Sequence, residues 1–215
     1  MSSSPLPADA DRLPPAVLEA IASRGNVRAF PANAILINEG DATDSLYIVL
    51  SGRLCVYATG DNGREVVLAE HEAGHYIGEL SLDGEPRSAS VKALEPCSCC
   101  VVQGSELRAF LTEYPDFALH LSAKLIRMVR RLTEQVKSLA LQDVYGRVAR
   151  LLVELSDPVG EERVMRHRLT QQDIAARVGS SREMVNRIMK ELVTGGYVSL
   201  RDGRHVVHRK LPAAW

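Results

Sequence analysis

The chain has 215 residues, with 26 Lys and Arg against 27 Asp and Glu, 46% hydrophobic residues and 25% charged residues. These proportions exclude a disordered or fibrous chain, and no apolar run approaches the roughly 18 residues that a membrane-spanning helix needs. The charge is uneven, because residues 143–215 carry 13 basic and 9 acidic side chains, whereas the rest of the chain carries 13 and 18. A basic C-terminal third indicates a polyanionic partner for that part.

The N-terminal segment MSSSPLPADADRLP is rich in Ser and Pro, and it does not resemble a secretory signal. We therefore expect residues 1–14 to form a flexible tail. The four cysteines are Cys55 and the three of the CSCC run, Cys97, Cys99 and Cys100. Their spacing differs from that of zinc ribbons, and on a strand Cys97 and Cys99 would share one face. This pattern predicts buried, reduced thiols in a cytoplasmic protein, with no metal bound.

Short runs of β-forming residues, separated by turn residues, occupy roughly residues 26–103. After an amphipathic helix in LPPAVLEAIASR, these runs are NVRAF, AILINEG, SLYIVLSG, RLCVYATG, REVVLAE, SASVKAL and CSCCVV. Asn62-Gly63, which lies between two of the runs, is a strong hairpin signal. The pattern predicts a small antiparallel roll or barrel.

The segment GELSLDGEPRSA, residues 78–89, places Glu79 and Arg87 on either side of an acidic turn. Either the two form an incidental ion pair on a surface hairpin, or they converge on a small anion. A guanidinium matches two phosphate oxygens, Ser88 can add a hydroxyl donor, and Gly78 lets the backbone approach a ligand closely. Glu79 can accept a hydrogen bond from a ligand hydroxyl and partly balance the charge of Arg87. The residues therefore favour an anion site.

A helical period follows, with a short helix from about Glu106 to Pro115 and a long one from about Phe117 to Leu141. Apolar residues at spacings of 4, 3, 4 and 3 form a narrow heptad seam, which consists of Leu125, Val129, Leu132, Val136 and Leu139. The helix could pack on its own domain, but its polar flanks favour a parallel contact between two copies. Asp143 is expected to cap the next helix after a hinge near residues 141–143.

Residues 169–200, LTQQDIAARVGSSREMVNRIMKELVTGGYVSL, predict two short helices joined by a glycine turn. Thr170 and Asp173 can form a capping box, and Gly179 can adopt the positive φ that ends the first helix. The predicted inward-facing residues are Ile174, Ala175, Val178, Val185, Ile188, Met189 and Leu192. This is the helix-turn-helix pattern, and a hairpin with Asp202-Gly203 at its tip would add a wing.

Several side chains near the start of the second of these helices are predicted to point away from the core and to reach DNA. They are Ser181, Arg182, Glu183, Asn186 and Arg187, together with Gln172 on the first helix. Arg can donate two hydrogen bonds to guanine, Glu can accept one from cytosine, and Ser181 suits a phosphate. An ordinary amphipathic helix would not require the paired helix, the glycine turn, the wing and the basic excess together.

Taken in this order, the segments resemble the cyclic-AMP receptor protein and fumarate–nitrate regulator (CRP/FNR) family of bacterial transcription factors. GELSLDGEPRSASV resembles the phosphate-binding cassette of that family, and SSREMVNRIM resembles the recognition helix of its cyclic-AMP-responsive branch. The resemblance implies an α+β chain with a jelly-roll-like, cyclic-nucleotide-binding β-roll and flanking helices at 15–115. A dimerisation helix and hinge at 116–142 and a winged helix-turn-helix at 143–215 would follow. Residues 78–89 are called the cassette below.

The resemblance also implies that a cyclic nucleotide, with cyclic AMP as the first candidate, acts as the effector. Its predicted contacts are Gly78, Glu79, Leu80, Arg87, Ser88 and Ala89. The family reads the purine with adjacent hydroxyl residues of the long helix, and the matching positions here are Leu132 and Thr133. Thr133 keeps the hydroxyl and is a predicted contact, whereas Leu132 departs from the pattern. Cyclic GMP or a different effector, such as cyclic di-GMP, therefore stays open.

The function that we predict is a homodimeric, ligand-responsive regulator that binds a near-palindromic DNA operator and acts with RNA polymerase. One alternative is the same DNA-binding regulator with a vestigial pocket or another effector. Another is a protein that uses the roll to regulate a partner other than DNA. An enzyme is not expected, because the sequence offers no coherent nucleophile–base or metal-ligand set.

Overall fold

A computed structural model describes residues 8–212 of the chain, which divide into two compact units. Within the described residues, the first unit comprises the chain up to residue 58 and residues 67–130, and the second comprises residues 59–66 and the chain from residue 131 onward. The division between Arg130 and Arg131 falls inside the long helix, so the predicted domain limits near residues 115 and 142 stay predictions. None of the helices in the described range is both long and apolar enough to cross a membrane.

Two four-stranded antiparallel sheets form the roll, and three helices accompany them. The elements are α1 (Pro15–Ala22), β1 (Asn26–Phe30), β2 (Ile35–Ile37), β3 (Leu46–Ser51), β4 (Leu54–Thr59), β5 (Glu65–His71), β6 (Tyr76–Ile77), β7 (Ser90–Ala93), β8 (Cys97–Val102), α2 (Gly104–Glu113) and α3 (Pro115–Leu141). The strand orders are β1-β8-β3-β6 and β2-β7-β4-β5. The predicted roll is therefore confirmed. The hairpin signal at Asn62-Gly63 is confirmed as well, because the Gly60 N–H donates to the carbonyl of Arg64 and Gly63 has a φ of 73°.

Strand β8 separates two apolar clusters of the first unit. Cys97 and Cys99 lie in a cluster with side chains of β2, β3, β4 and β7, whereas Cys100 lies in a cluster with side chains of α1, α2 and α3. All four cysteines are buried, and burial raises the pKa of Cys99 to about 12. The alternation follows from the two-residue period of a strand. The prediction that these cysteines are small core residues is confirmed.

The prediction of a flexible tail at residues 1–14 is wrong for residues 8–14, and residues 1–7 lie outside the described range. A short 3-10 helix spans Ala8–Asp11, and Leu13 is buried with its N–H donating to the carbonyl of Gly74. The carboxylate of Asp11 pairs with Arg127 of α3 at 2.6 Å. The prediction followed the Ser and Pro content and did not take into account the burial of Leu13 or the ion pair of Asp11, which together fix this segment.

The predicted heptad seam lies on α3 and is largely exposed in the single chain. Val129, Leu132, Val136 and Leu139 are 63%, 43%, 65% and 54% exposed. Leu125 differs, because it is half-buried against the first unit's own core. The exposed residues argue against the interpretation that the whole seam packs within its own domain, which leaves the contact between two copies as the prediction that accounts for them.

The second unit contains the predicted winged helix-turn-helix. Its elements are α4 (Val144–Glu154), β9 (Ser156–Val159), β10 (Glu162–Met165), α5 (Gln171–Val178), α6 (Arg182–Thr194), β11 (Val198–Arg201) and β12 (Arg204–Val207), and the strand order is β11-β12-β10-β9. Residues from α4, α5, α6 and the sheet form one core cluster, which contains every inward-facing residue that the sequence predicted.

The ends of the helices follow from short-range chemistry. Asp143 caps α4 by accepting from the N–H of Gly146 at 2.7 Å, and Thr170 and Asp173 form the predicted capping box of α5. Gly179 has a φ of 64°, as the turn requires. Arg147 donates to the carbonyls of Gln142 and Val178, at 2.7 and 2.8 Å. The segment after α3 is thus held by an arginine that bonds both the end of α5 and the residue before the cap.

Candidate functional site

The cassette begins at a backbone conformation that requires glycine. Gly78 has a φ of 91°, and it precedes a 3-10 helix, Glu79–Asp83, that ends at Gly84 with a φ of 86°. A Cβ at position 78 would lie 2.7 Å from the carbonyl oxygen of Ser45 and 2.8 Å from a guanidinium nitrogen of Arg87. Only glycine therefore lets the backbone pass this close to Arg87.

Arg87 is buried and makes four hydrogen bonds to neutral protein groups. Its Nε donates to the hydroxyl of Thr43 at 2.9 Å, and its terminal nitrogens donate to the carbonyl of Gly78 at 2.9 Å, the carbonyl of Ser45 at 2.6 Å and the hydroxyl of Ser81 at 3.1 Å. Burial lowers the pKa of Arg87. The guanidinium is thus held in place from the loop before β3 and from the 3-10 helix.

The carboxylate of Glu79 is paired with a residue that the sequence did not single out. Glu79 is 6% exposed, and its Oε1 lies 3.0 Å from Nζ of Lys124, a fully buried residue of α3. The direct ion-pair partner of Glu79 is therefore Lys124, and Glu79 balances the charge of Arg87 only in part and from a greater distance. Arg87 feels Glu79 only as one of several nearby charges.

An aromatic side chain lies beneath this ion pair. Nζ of Lys124 donates to the carbonyl of Tyr76 and lies 3.9 Å from the centroid of its ring. The hydroxyl of Tyr76 is 3.2 Å from Nδ1 of His120, a second residue of α3. Burial, followed by the charge of Glu79, raises the pKa of Tyr76. The cassette is thus connected to α3 through a buried polar network.

The other predicted ligand residues are more exposed than Glu79 and Arg87. Leu80 is 43% exposed, Ser88 is exposed and Ala89 is half-buried, so all three are accessible beside the buried Glu79 and Arg87. Thr133 is exposed on the part of α3 that belongs to the second unit. Its role as a ligand contact stays a prediction.

The second candidate site is the N-terminal part of α6. Arg182, Glu183 and Arg187 are exposed, as is Gln172 on α5. Ser181 caps α6 by accepting from the N–H of Met184 at 3.2 Å. The hydrogen bond to its own backbone N–H and then that to Ser181 lower the pKa of Glu183, which favours a charged carboxylate at this position. The helix thus presents both basic and acidic groups at its start.

Asn186 differs from its prediction. It is half-buried rather than turned away from the protein, and its Oδ1 accepts from Nε2 of Gln171 at 3.2 Å. This bond joins the two helices of the motif, because Gln171 is the first residue of α5. The sequence places Asn186 on the polar face of α6, but it could not reveal that the neighbouring helix covers part of that face.

The wing is a tight hairpin with basic side chains. Asp202 and Gly203 at its tip have φ values of 51° and 75°, which fits a two-residue turn with both residues left-handed. A Cβ at Gly203 would lie 3.0 Å from Nε of Arg168, so the arginine lies against the tip. Arg201 pairs with Glu162 at 2.9 Å. The wing is therefore anchored to β10 by an ion pair.

Comparison with known proteins finds family models that match the segments around both candidate sites. A family model described as a cyclic nucleotide-binding domain matches residues 27–114, and one described as a Crp-like helix-turn-helix domain matches residues 146–213. Over 196 residues the chain is 32% identical to the cAMP-activated global transcriptional regulator CRP of Pasteurella multocida, and the match covers 89% of this chain and 94% of that protein. The chain belongs to the CRP/FNR family of transcription regulators.

A further relative and two solved structures are also similar to this chain. CRP of Escherichia coli O157:H7 is 32% identical over 196 residues, with 89% of this chain and 93% of that protein covered. Among solved structures, the c-di-GMP responsive global regulator CLP of Xanthomonas campestris shares the fold, with a TM-score of 0.82 at 24% identity over 90% of this chain and 99% of that chain. The catabolite activator protein of Thermus thermophilus has a TM-score of 0.55 at 29% identity over 92% of each chain. The predicted family and α+β fold class are confirmed.

For this CRP/FNR member, sequence reasoning missed the residues outside the cassette that hold it, two through their side chains and Ser45 through its backbone carbonyl. Lys124 is the most important of them, and Thr43 and Ser45 are the others. One signal for Lys124 was present, because it follows Phe117 and Leu121 at helical spacings of four and three residues, on the buried face of α3. A lysine in such a stripe requires compensation for its buried charge, but the spacing does not say which residue supplies it.

Proposed function

We propose that this protein is a bacterial transcription regulator that binds a cyclic nucleotide in its roll and, as a homodimer, a near-palindromic DNA operator. The observation that carries the proposal is the buried guanidinium of Arg87 beside the glycine turn of the cassette. Cyclic AMP is the first candidate, since the CRP proteins at 32% identity are described as cAMP-activated.

The charge of the cassette suits a singly charged ligand. Arg87, Lys124 and Glu79 are the three buried charged side chains of the cassette and of the helix beneath it. Glu79 and Lys124 pair with each other, whereas the guanidinium of Arg87 donates to neutral groups, so a cyclic phosphodiester would give Arg87 an anionic partner in direct contact. A buried charge is strongly unfavourable without such a partner, so a monoanion should bind better here than a neutral ligand.

Binding requires Arg87 to exchange partners. In the structure its hydrogen bonds go to carbonyls and hydroxyls, and a phosphate would replace some of these neutral acceptors with charged oxygens. A guanidinium and a phosphate attract each other as opposite charges and can form two parallel hydrogen bonds, so bonds to phosphate oxygens are stronger than bonds to neutral acceptors and the exchange is favourable. Ser88 supplies a further exposed hydroxyl, and Glu79 accepts from the ribose 2′-hydroxyl.

The base of the nucleotide is assigned to the long helix. Thr133 supplies the one hydroxyl at the two positions that resemble the family's purine contact, whereas Leu132 cannot donate or accept. This departure favours keeping cyclic GMP and cyclic di-GMP as competing effectors. The remaining alternative is a regulator whose pocket binds none of the three nucleotides. The observation in its favour is that the guanidinium of Arg87 already donates hydrogen bonds to protein carbonyls.

The dimer is proposed to form through the exposed heptad residues of α3, which would bury their apolar side chains against a second copy. A two-fold dimer would place its two α6 helices in successive major grooves, about one helical turn apart. Arg182, Glu183 and Arg187 would contact base edges, while Ser181 and Gln172 would contact the backbone. As a regulator rather than an enzyme, it would act in the cytoplasm together with RNA polymerase.

Isothermal titration calorimetry tests the proposal directly. The purified protein is titrated with cyclic AMP, cyclic GMP and cyclic di-GMP, and with 5′-AMP as a control for the cyclic phosphate. We expect the wild type to bind cyclic AMP and Arg87→Leu to lose that binding. Arg28→Leu, which removes an exposed arginine of β1, is the matched control and should bind as the wild type does. Normal affinity in Arg87→Leu would overturn the assignment of the pocket.

A further inference from the structure

Lys124 is unlike the other lysines of the described residues, because it is 0% exposed in the interior of the first unit. Its Nζ contacts the carboxylate of Glu79, the carbonyl of Tyr76 and the face of the Tyr76 ring. An ammonium group in such a place requires compensation from an anion, from hydrogen-bond acceptors or from an aromatic face, and Lys124 has all three.

The ion pair joins two segments that are distant in the sequence. Glu79 begins the 3-10 helix of the cassette, which lies between two left-handed glycines, Gly78 and Gly84. Glycines leave the backbone of this helix few intrinsic restraints, so its orientation depends on contacts made by its side chains. Glu79 makes the contact that reaches α3, and Ser81 makes the contact that reaches Arg87.

We propose that Lys124 is a positioning residue of the effector site: it fixes the carboxylate of Glu79 from α3, and it thereby sets how strongly the cassette prefers a ligand with a hydroxyl beside its phosphate. The inference rests on the proposed function, and it extends the site beyond the cassette to a buried residue of the long helix. Lys124 occupies Oε1 of Glu79, so an incoming hydroxyl is directed to the remaining oxygen, Oε2.

Two consequences distinguish positioning from a general contribution to stability. First, removing Lys124 should weaken the preference for a ligand hydroxyl more than it weakens recognition of the phosphate, because Arg87 is held by other groups. Second, the effect should require the carboxylate, so it should disappear when Glu79 is already Gln. A residue that only supports the fold would change the affinity for all ligands alike, whether position 79 is Glu or Gln.

The experiment compares the wild type, Lys124→Met, Glu79→Gln and the double variant Glu79→Gln/Lys124→Met. Methionine keeps the length and apolar stem of lysine and removes its charge. Lys137→Met is the matched control, since Lys137 is an exposed lysine of the same helix that pairs with Glu134. The dissociation constants for cyclic AMP and 2′-deoxy cyclic AMP are measured by calorimetry, and amide hydrogen exchange of the ligand-free proteins is followed across residues 78–89.

A hydrogen bond to a charged group corresponds to roughly a 10- to 100-fold change in affinity, so the wild type should bind cyclic AMP tighter than the 2′-deoxy ligand by about this factor. In Lys124→Met the factor should fall to about threefold or less, and amide exchange in the cassette should become faster. Adding Lys124→Met to Glu79→Gln should leave the ratio unchanged. The double variant lacks both charges and serves as the folded reference if the single variant does not fold.

The outcomes separate the inference from the function on which it rests. If the wild type binds cyclic AMP, but Lys124→Met keeps both the hydroxyl preference and the amide exchange of the wild type, the inference is overturned and the proposed function stands. If the wild type binds neither cyclic AMP nor 2′-deoxy cyclic AMP, the proposal that cyclic AMP is the effector is overturned. The positioning role of Lys124 is then decided by amide exchange, and unchanged exchange across residues 78–89 would refute it.

Discussion

The cassette and the recognition helix α6 hold their functional side chains in opposite ways. In the cassette, Glu79 and Arg87 are buried and already bonded to protein groups, whereas Arg182 and Arg187 of α6 are exposed. A buried cassette must exchange internal bonds when a ligand arrives, which couples binding to a change in its surroundings. An exposed helix can contact DNA as a rigid surface. Under the proposed function, switching would therefore belong to the first unit and sequence reading to the second.

The largest expected effect comes from breaking the buried ion pair of the cassette. Glu79→Ala leaves the ammonium of Lys124 buried without its carboxylate, which should lower the free energy of unfolding by about 3–5 kcal/mol. Chemical denaturation followed by circular dichroism measures this change. The matched control is Glu134→Ala, which removes an exposed carboxylate that pairs with Lys137. That variant should change stability far less, because both partners of the pair are exposed to solvent, and equal losses in the two variants would contradict the burial argument.

On α6, substitution should change DNA recognition and leave stability nearly unaltered. Arg182→Ala is expected to reduce affinity by about 1–3 kcal/mol at one base position of the operator, since Arg182 is exposed and close to the start of the helix. Fluorescence anisotropy with a set of single-base operator variants measures the loss at each position. A uniform loss over all sequences would instead identify Arg182 as a phosphate contact.

A smaller effect is expected for the helix caps of the second unit, where stability depends on short-range bonds. Thr170→Ala removes the hydroxyl that accepts from the N–H of Asp173 and should lower the free energy of unfolding by about 1 kcal/mol. Thermal denaturation detects the change. Thr112→Ala is the control, because the hydroxyl of Thr112 bonds a carbonyl inside α2 and caps no helix. A loss as large in Thr112→Ala would count against a specific capping effect.

The smallest predicted effect is a dependence on pH. Burial lowers the pKa of His75 and His120 in the first unit from the usual 6.5. The unfolded chain therefore binds more protons than the folded one near and below pH 6.5, so their contribution to stability is present above that pH and is lost as the pH falls. Denaturation at pH 7.5 and 5.5 should show this loss, and His120→Gln should reduce it. An unchanged pH dependence in His120→Gln would contradict the assignment.

The sequence predicted features that depend on neighbours within a few residues. The capping box of Thr170 and Asp173, the left-handed turn at Gly179 and the alternation of Cys99 and Cys100 are all confirmed. Periods, caps and turns arise from local geometry, and a short window of sequence is enough to recognise them.

What the sequence could not predict depends on contacts between distant segments. Lys124 lies 45 residues after Glu79, and Asp11 pairs with a residue of the long helix, Arg127. The residues next to each of these four side chains do not indicate which distant residue it pairs with. The same reason applies to Asn186, which the sequence predicts to point away from the core, whereas its side chain accepts a hydrogen bond from Gln171 of the preceding helix.

The central claim is that a ligand in the cassette changes how the regulator binds DNA. Operator affinity, measured by fluorescence anisotropy of a labelled near-palindromic duplex with and without saturating cyclic AMP, tests it most directly. We predict that the ligand tightens operator binding by about 5- to 150-fold, the usual range for allosteric coupling, and that Arg87→Leu abolishes this change. Equal affinity for the operator with and without the ligand, in a protein that binds the ligand, would contradict the claim.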